Sequence, residues 1–280
     1  MTNDDTLTLP DGRRLSFTSI GRPDGPVFIY HHGAPGSRLE LLSLDDAANA
    51  AGVRIVTPDR PGYGGSSPQP VRSTAGFVDD VVALADHLEV DRFAVMGLSS
   101  GGPYAVACAS LLGSRITSAI VAAGNTDMKW PDAADGYIAS ELELMALADA
   151  DAAAASCVEK YGADGSRFFE GDMDLGPADN AWLADETNTT GLFTSMGEAF
   201  AQGVVGYAHD IWVQGRAWSF DTTAITCQVI VIHGDGDVLV PIAHSRHTAS
   251  LIPGAELRIL PGVGHLSLVD HLPAIVAELA

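Results

Sequence analysis

The stretch Phe93-Ala94-Val95-Met96-Gly97-Leu98-Ser99-Ser100-Gly101 decides the fold. Its first four residues are a short, uninterrupted apolar run, the pattern of a strand buried on both faces of a sheet. The residues that follow, through Leu112, read as a helix. At the corner between them, Gly97 and Gly101 stand two residues either side of Ser99, so the backbone bends tightly without a Cβ clash. A serine there is exposed above the sheet, at a helix N-terminus whose dipole favours developing negative charge. Taken alone, the corner also reads as a Gly-rich helix start with Ser99 as its N-cap. The surrounding pattern and two further turns separate the two readings.

Outward from this corner, strands and helices alternate. Residues 6–9 and 14–20 flank Pro10-Asp11-Gly12 and read as a hairpin. Val27-Phe28-Ile29-Tyr30 is a second buried run, followed by a helical stretch from about 38 to 50 and a strand at 53–56. In the helical stretch 74–88, Phe77, Val81, Leu84, Ala85 and Leu88 fall on one face. A strand spans Ile116 to Ala122. Strand–helix alternation resumes at Val229-Ile230-Val231-Ile232, with a helix at 242–251, a strand at 256–260 and a last helix from 267. Strands separated by helices of this length predict an α/β fold with a mostly parallel sheet and right-handed crossovers.

The segment from about 126 to 216 breaks the alternation. It is helical and Ala-rich, interrupted by Asp/Gly turns, and reads as an insertion rather than an independent domain. It carries 17 acidic and 4 basic residues, a net of −13 out of −21 for the chain, and contains Trp130, Trp182 and Trp212. That composition predicts an apolar inner face and a strongly acidic outer one.

Two more turns after predicted strands carry chemistry. His32-Gly33-Ala34-Pro35-Gly36-Ser37 follows the strand at 27–30. Acyl transfer passes through a tetrahedral oxyanion that needs two preorganised N–H donors. The amides of Ala34 and of Ser100 are the candidates. A serine hydroxyl also needs a base, and the base needs a carboxylate to fix its tautomer. His265, in Pro261-Gly262-Val263-Gly264-His265, is the candidate base. Asp237, in His233-Gly234-Asp235-Gly236-Asp237, is the leading acid, with Asp127 and Asp235 as alternatives. The chain order is Ser…Asp…His. His31 and His32 read as structural residues of the Ala34 turn.

These turns, together with Asp59-Arg60-Pro61-Gly62-Tyr63-Gly64, resemble those of the α/β-hydrolase fold family across nearly the whole chain outside the insertion. The resemblance implies an eight-stranded sheet whose second strand is antiparallel, formed by residues 1–125 and 217–280. It makes 126–216 a helical cap between strands six and seven, over the active site, and gives Asp59–Gly64 a buttressing role. Dehalogenases and epoxide hydrolases of this fold use an aspartate nucleophile, so Ser99 disfavours their chemistry. No metal or organic cofactor is implied.

The expected activity is hydrolysis of a carboxylic ester through an acyl-Ser99 intermediate. Trp130, Tyr137, Phe168, Phe169, Trp182 and Phe193 are the aromatics expected to line an apolar substrate pocket. A prolyl-iminopeptidase-like aminopeptidase is the second reading, since its oxyanion turn is similar, although Ala34 replaces a glycine and Ser100 a tryptophan. A ligand-binding receptor that keeps the three residues with little turnover is the third. Carbon–carbon, thioester and lactone cleavage and perhydrolysis use the same constellation.

Composition narrows the class further. With 280 residues, 46% of them hydrophobic and 18% charged, the chain has enough apolar material for a packed core. Fifteen basic against 36 acidic residues argue against nucleic acid and anionic membranes as partners and leave a small molecule. No apolar run reaches the roughly 18 residues of a membrane helix, and the N-terminal residues lack a secretory pattern. Three cysteines, Cys108, Cys157 and Cys227, match no zinc spacing and suggest a reduced, cytoplasmic protein.

Overall fold

In a computed structural model describing residues 3–69, 72–168, 170 and 175–280, eight strands form one sheet. They are β1 (Asn3–Thr8), β2 (Arg14–Gly21), β3 (Val27–His31), β4 (Arg54–Pro58), β5 (Phe93–Leu98), β6 (Ile116–Ala122), β7 (Gln228–Gly234) and β8 (Glu256–Leu260). Their order across the sheet is β1-β2-β4-β3-β5-β6-β7-β8. β2 runs antiparallel to both its neighbours, and every pairing from β4 to β8 is parallel. The mostly parallel arrangement is the one expected from the alternation, and the eight strands with the second reversed are those that the family resemblance implied.

The period of two along each strand sorts the core into two layers. Val27 and Ile29 of β3, with Phe93 and Val95 of β5, face helices α2 (Val78–His87) and α3 (Gly102–Leu111). Phe28 and Tyr30, with Ala94 and Met96, face α1 (Asp45–Ala50) and α10 (Leu272–Leu279). The apolar stripe read at 74–88 lies inward: Phe77, Val81, Leu84 and Ala85 are buried and Leu88 packs partly buried against them. Helix α9 (Ile242–Leu251) connects β7 to β8.

The helix expected from 38 is shorter than its pattern suggested. A 3-10 turn begins only at Leu42 and α1 at Asp45. The residues before it are held by other partners: Arg38 N–H donates to the Asp59 carboxylate at 2.6 Å and Leu39 N–H to Ser37 Oγ at 3.3 Å. These bonds wrap residues 37–40 around the turn at 32–36 instead of starting a helix there.

Between β6 and β7 lie α4 (Ala139–Met145), α5 (Ala150–Tyr161), α6 (Gly176–Trp182), α7 (Glu186–Ala199) and α8 (Val205–Gln214). Aspartates cap two of them: Asp149 accepts from Ala152 N–H at 2.8 Å and Asp185 from Thr187 N–H at 2.8 Å. The helices share an apolar cluster that includes Leu144, Cys157, Phe200, Tyr207 and Ile211 and takes in Tyr63 and Val240 from outside the insertion.

The insertion's acids are not all on its outside, as the composition had suggested. Glu141, Asp179 and Asp210 are buried, each accepting hydrogen bonds from tyrosines, arginines or backbone amides. Polar tethers bind the insertion to the sheet side. Ser195 Oγ accepts from Ser37 N–H at 3.0 Å, and Glu198 pairs with Arg38 at 2.6 Å. Where α8 crosses the 59–64 turn, glycine meets glycine: a Cβ on Gly206 would collide with the Gly62 carbonyl.

Candidate active site

Registers along the parallel strands bring the turns together. His31 of β3 pairs with Gly97 of β5, Leu98 with Ala122 of β6, Ala122 with Ile232 of β7, and Gly234 with Leu260 of β8. The turns that follow β3, β5, β7 and β8 therefore share the carboxyl end of the sheet, where ligands of open α/β sheets bind. Ser99, Ala34, Asp237 and His265 all sit on those turns.

Ser99 has φ of 54°, a left-handed conformation that a non-glycine side chain adopts at a cost of order 1–3 kcal/mol. The glycines make the corner possible. A Cβ on Gly97 would strike the Gly101 carbonyl, and one on Gly101 would strike the His31 carbonyl. Ser100 follows in the first turn of the helical segment, where N–H groups lack an intrahelical acceptor. On the neighbouring turn, a Cβ built on Gly33 would lie 3.7 Å from Ser99 Cβ, which places the Ala34 turn beside the serine.

His265 is buried and its Nδ1–H donates to Asp237 Oδ2 at 2.7 Å. That bond fixes the tautomer and leaves Nε2 with its lone pair. Asp237 is itself held: Leu239 and Val240 N–H donate to Oδ1 at 2.8 and 2.9 Å, and His233 Nε2 lies 3.3 Å from Oδ2. Burial alone would raise the Asp237 carboxyl. The two histidines outweigh it and hold the carboxyl well below the usual carboxylate range. Burial likewise opposes a charged His265, but the Asp237 carboxylate, with Asp179 and Glu40 adding to it, raises the imidazole above its ordinary value.

The two alternative acids are engaged elsewhere. Asp127 accepts from Lys129 and Trp218 N–H, tying the start of the insertion to its end. Asp235 accepts from Gly262 N–H at 2.6 Å and braces the turn after β8. Among the described residues, Asp237 alone of the three bonds the His265 ring. His31 and His32 are fully buried, and burial pushes both well below the ordinary histidine range.

Sequence reading missed three features of this site. Glu40 Oε2 accepts from Gly33 N–H at 2.9 Å and from Tyr30 OH at 2.6 Å, and burial pushes its carboxyl up. Arg60 lies on the Asp59–Gly64 turn, to which the family resemblance gave a buttressing role, and donates to the carbonyls of His32 and Gly33 behind the Ala34 turn; its insertion partner was not foreseen. Arg60 and Arg72 also converge on Asp210 at 2.6 and 2.8 Å, with Tyr63 and Tyr104 donating to the same carboxylate. The third is Asp179, which accepts from the backbone N–H groups of His265 and Ser267. For Asp179 and Asp210 the partners lie 86 to 150 residues away, and a lone charged residue in the sequence gives no sign of them.

The aromatics expected around the substrate have varied settings. Tyr137 is buried, stacked on His244, and donates to Glu141 at 2.6 Å. Phe168 packs against Phe200 and Tyr207 inside the insertion. Trp130 stacks on His247 of α9 at 4.3 Å, Trp182 Nε1–H donates to Asp270 at 2.8 Å, and Phe193 is exposed on α7. Phe169 lies outside the described residues. None of these contacts joins an aromatic to Ser99 or His265. Among the described residues no three His, Cys, Asp or Glu side chains gather as a metal ion would require, and no helix is long and apolar enough to cross a membrane.

Comparison with known proteins bears on the fold and the family. Over 95% of this chain and 94% of the relative, the sequence is 28% identical to a non-heme chloroperoxidase of Streptomyces lividans. It is 26% identical to a 2-hydroxymuconate semialdehyde hydrolase of Pseudomonas sp. (strain CF600), over 88% of this chain and 82% of that one. The fold superposes on a thermophilic esterase from Thermogutta terrifontis with a TM-score of 0.72 at 20% identity, covering 99% of this chain and 96% of that one. The family model for the alpha/beta hydrolase fold matches residues 26–272. With a sheet of that order and turns of that kind at its carboxyl end, the chain belongs to the α/β-hydrolase fold family.

Proposed function

We propose that this chain is a serine hydrolase that cleaves a carboxylic ester through an acyl-Ser99 intermediate. The observation that carries the proposal is the Asp237–His265 hydrogen bond on the sheet end where Ser99 occupies its corner. His265 Nε2 takes the Ser99 proton as Oγ attacks the ester carbonyl, and Asp237 supports the imidazolium that forms. The N–H groups of Ala34 and Ser100 receive the oxyanion. On collapse, the alcohol leaves with the proton from Nε2, and Ser99 holds the acyl group. A water then gives its proton to Nε2 and adds to the acyl carbon, releasing the acid and restoring Ser99.

In this reading residues 126–216 form a cap over a core of 1–125 and 217–280, and the aromatics named above that face inward contribute to the acyl pocket. The substrate is a small molecule. A raised His265 requires activity to rise with pH through a midpoint above that of an ordinary histidine, about 6.5, because the base acts only when neutral.

A chain-length series of p-nitrophenyl esters tests the proposal, run beside proline and alanine p-nitroanilides with Ser99→Ala as the blank. Ester turnover that disappears in the variant, together with loss of organophosphonate labelling at residue 99, is the expected result. Anilide turnover exceeding ester turnover would replace the esterase by an aminopeptidase. Phosphonate labelling without turnover of either probe would favour a specialised substrate or a receptor.

A further inference from the structure

Asp179 belongs to α6, in the insertion, and is fully buried. Among the described residues its carboxylate accepts three hydrogen bonds, all from the turn that carries His265. His265 N–H donates to Oδ2 at 2.7 Å, while Ser267 N–H and Ser267 Oγ–H donate to Oδ1, each at 2.9 Å. Ser267 Oγ in turn accepts from Gly264 N–H at 2.8 Å, closing the turn on itself. The contact has no slack, since a Cβ on Gly264 would collide with the Asp179 carboxyl group. Among the described residues no arginine or lysine pairs with Asp179.

A buried carboxylate without a cation is costly unless its oxygens are hydrogen-bonded. Here every bond that meets the requirement comes from the histidine's own turn, across 86 to 88 residues of chain. We propose that Asp179 is a positioning residue: the insertion contributes a carboxylate that docks the His265 turn, so that the base is set at Ser99 only while the insertion is seated. The inference rests on the serine-hydrolase reading above.

Position is one consequence and charge is the other. The groups facing His265 are Asp237 after β7, Glu40 after β3, Asp179 on α6 and, from α4, Glu141, whose own carboxyl senses His265. Burial and Asp237 are the larger influences on the imidazole, and Asp179 adds to Asp237 in favouring the imidazolium. Removing its charge, while asparagine keeps the side chain's shape, therefore moves His265 toward lower pH.

Organophosphonate labelling of the full chain reads both consequences without knowledge of the natural substrate. Wild type is labelled first: no modification of Ser99 would remove the hydrolase reading and this role with it. In Asp179→Asn, kinact should fall about 10- to 100-fold while KI changes less than about threefold, the scale expected when a reacting group is misplaced by an ångström. The acidic limb of the kinact profile should shift to lower pH. Wild-type kinact, or a reduced kinact with the limb unmoved, would overturn the assignment. If Asp179→Asn does not fold, Ser267→Ala replaces it, since it leaves the insertion unaltered while removing one donor to the carboxylate, together with the acceptor of Gly264 N–H. A loss of kinact of about threefold or more at constant KI supports the role, and wild-type behaviour overturns it.

Discussion

Asp210 is the residue whose loss should cost this protein most. It is fully buried and faces two guanidinium groups, Arg60 with no exposed side-chain surface and Arg72 with 5%. Asp210→Asn keeps the shape and removes the charge that both arginines face. Breaking a buried ion pair from one side destabilises by about 3–5 kcal/mol, because the partner charge remains buried and uncompensated. An unfolding entropy of about 2.1 cal/mol/K per residue gives about 0.6 kcal/mol/K for a chain of this length. Tm should therefore fall by about 5–8 °C at pH 7 by scanning calorimetry. The pH dependence follows from the direction of the shift. Burial opposes the Asp210 carboxylate, but Arg60 and Arg72 prevail and hold it below the usual range. Its stabilisation is then fully present above the unfolded value of about 3.9 and is lost as pH falls through the lower folded one. The gap between wild type and variant should stay level from about pH 5 to 7 and close only below about 4. A Tm within about 1.5 °C of wild type, or a gap that closes between pH 5 and 7, would refute the reasoning.

Two further outcomes are expected. Asp237→Asn should lower kcat on an ester substrate by about 10⁴-fold, whereas Asp127→Asn, which disturbs only the ends of the insertion, should stay within about threefold of wild type; the reverse ranking would show that the acid is misassigned. Glu141 is pushed up to about 7 by burial, against which the Tyr137 and Tyr207 hydroxyls work. Its folded value lies above the unfolded one, so the stability tied to its proton is present below about pH 4.5 and is lost as pH rises through 7. Glu141→Gln should therefore gain about 3 kcal/mol relative to wild type at pH 8 compared with pH 4.5. Urea unfolding at the two pH values reads this directly, and an equal offset at both would contradict it.

Much of the fold was legible because its signals are local. Val27-Phe28-Ile29-Tyr30 is an uninterrupted apolar run, which the sequence alone reads as a strand covered on both faces, and its residues divide between two helical layers. The Ser99 corner was legible for the same reason, since the flanking glycines are required by backbone within a few residues or on the next strand. The Asp237–His265 pair was reachable because each residue follows a recognisable strand. What escaped was the wiring between distant segments. Asp179, Asp210 and Glu141 sit in the most acidic part of the chain, where any one aspartate or glutamate looks like solvated surface. Their burial is decided by donors on other elements: the His265 turn, Arg60 and Arg72, and two tyrosines. The start of α1 was misplaced for a related reason, because Arg38 N–H is bound to Asp59, 21 residues further along the chain.

The helices between β6 and β7 reach the rest of the chain through particular polar groups: Asp179 on the His265 turn, Ser195 and Glu198 on Ser37 and Arg38, and Asp210 on Arg60 and Arg72. Recombination between relatives meets a constraint here that loop length and overall shape do not reveal. A grafted segment without an acid in place of Asp210 would leave two guanidinium groups facing each other in the interior, one of them bonded to the backbone beside Ala34. Donor segments for a chimera should be chosen by their inward-facing acids, or the arginines at 60 and 72 exchanged along with the graft. Change in this protein is then easiest at positions inside the segment that touch none of these groups, and its boundary residues must change as sets.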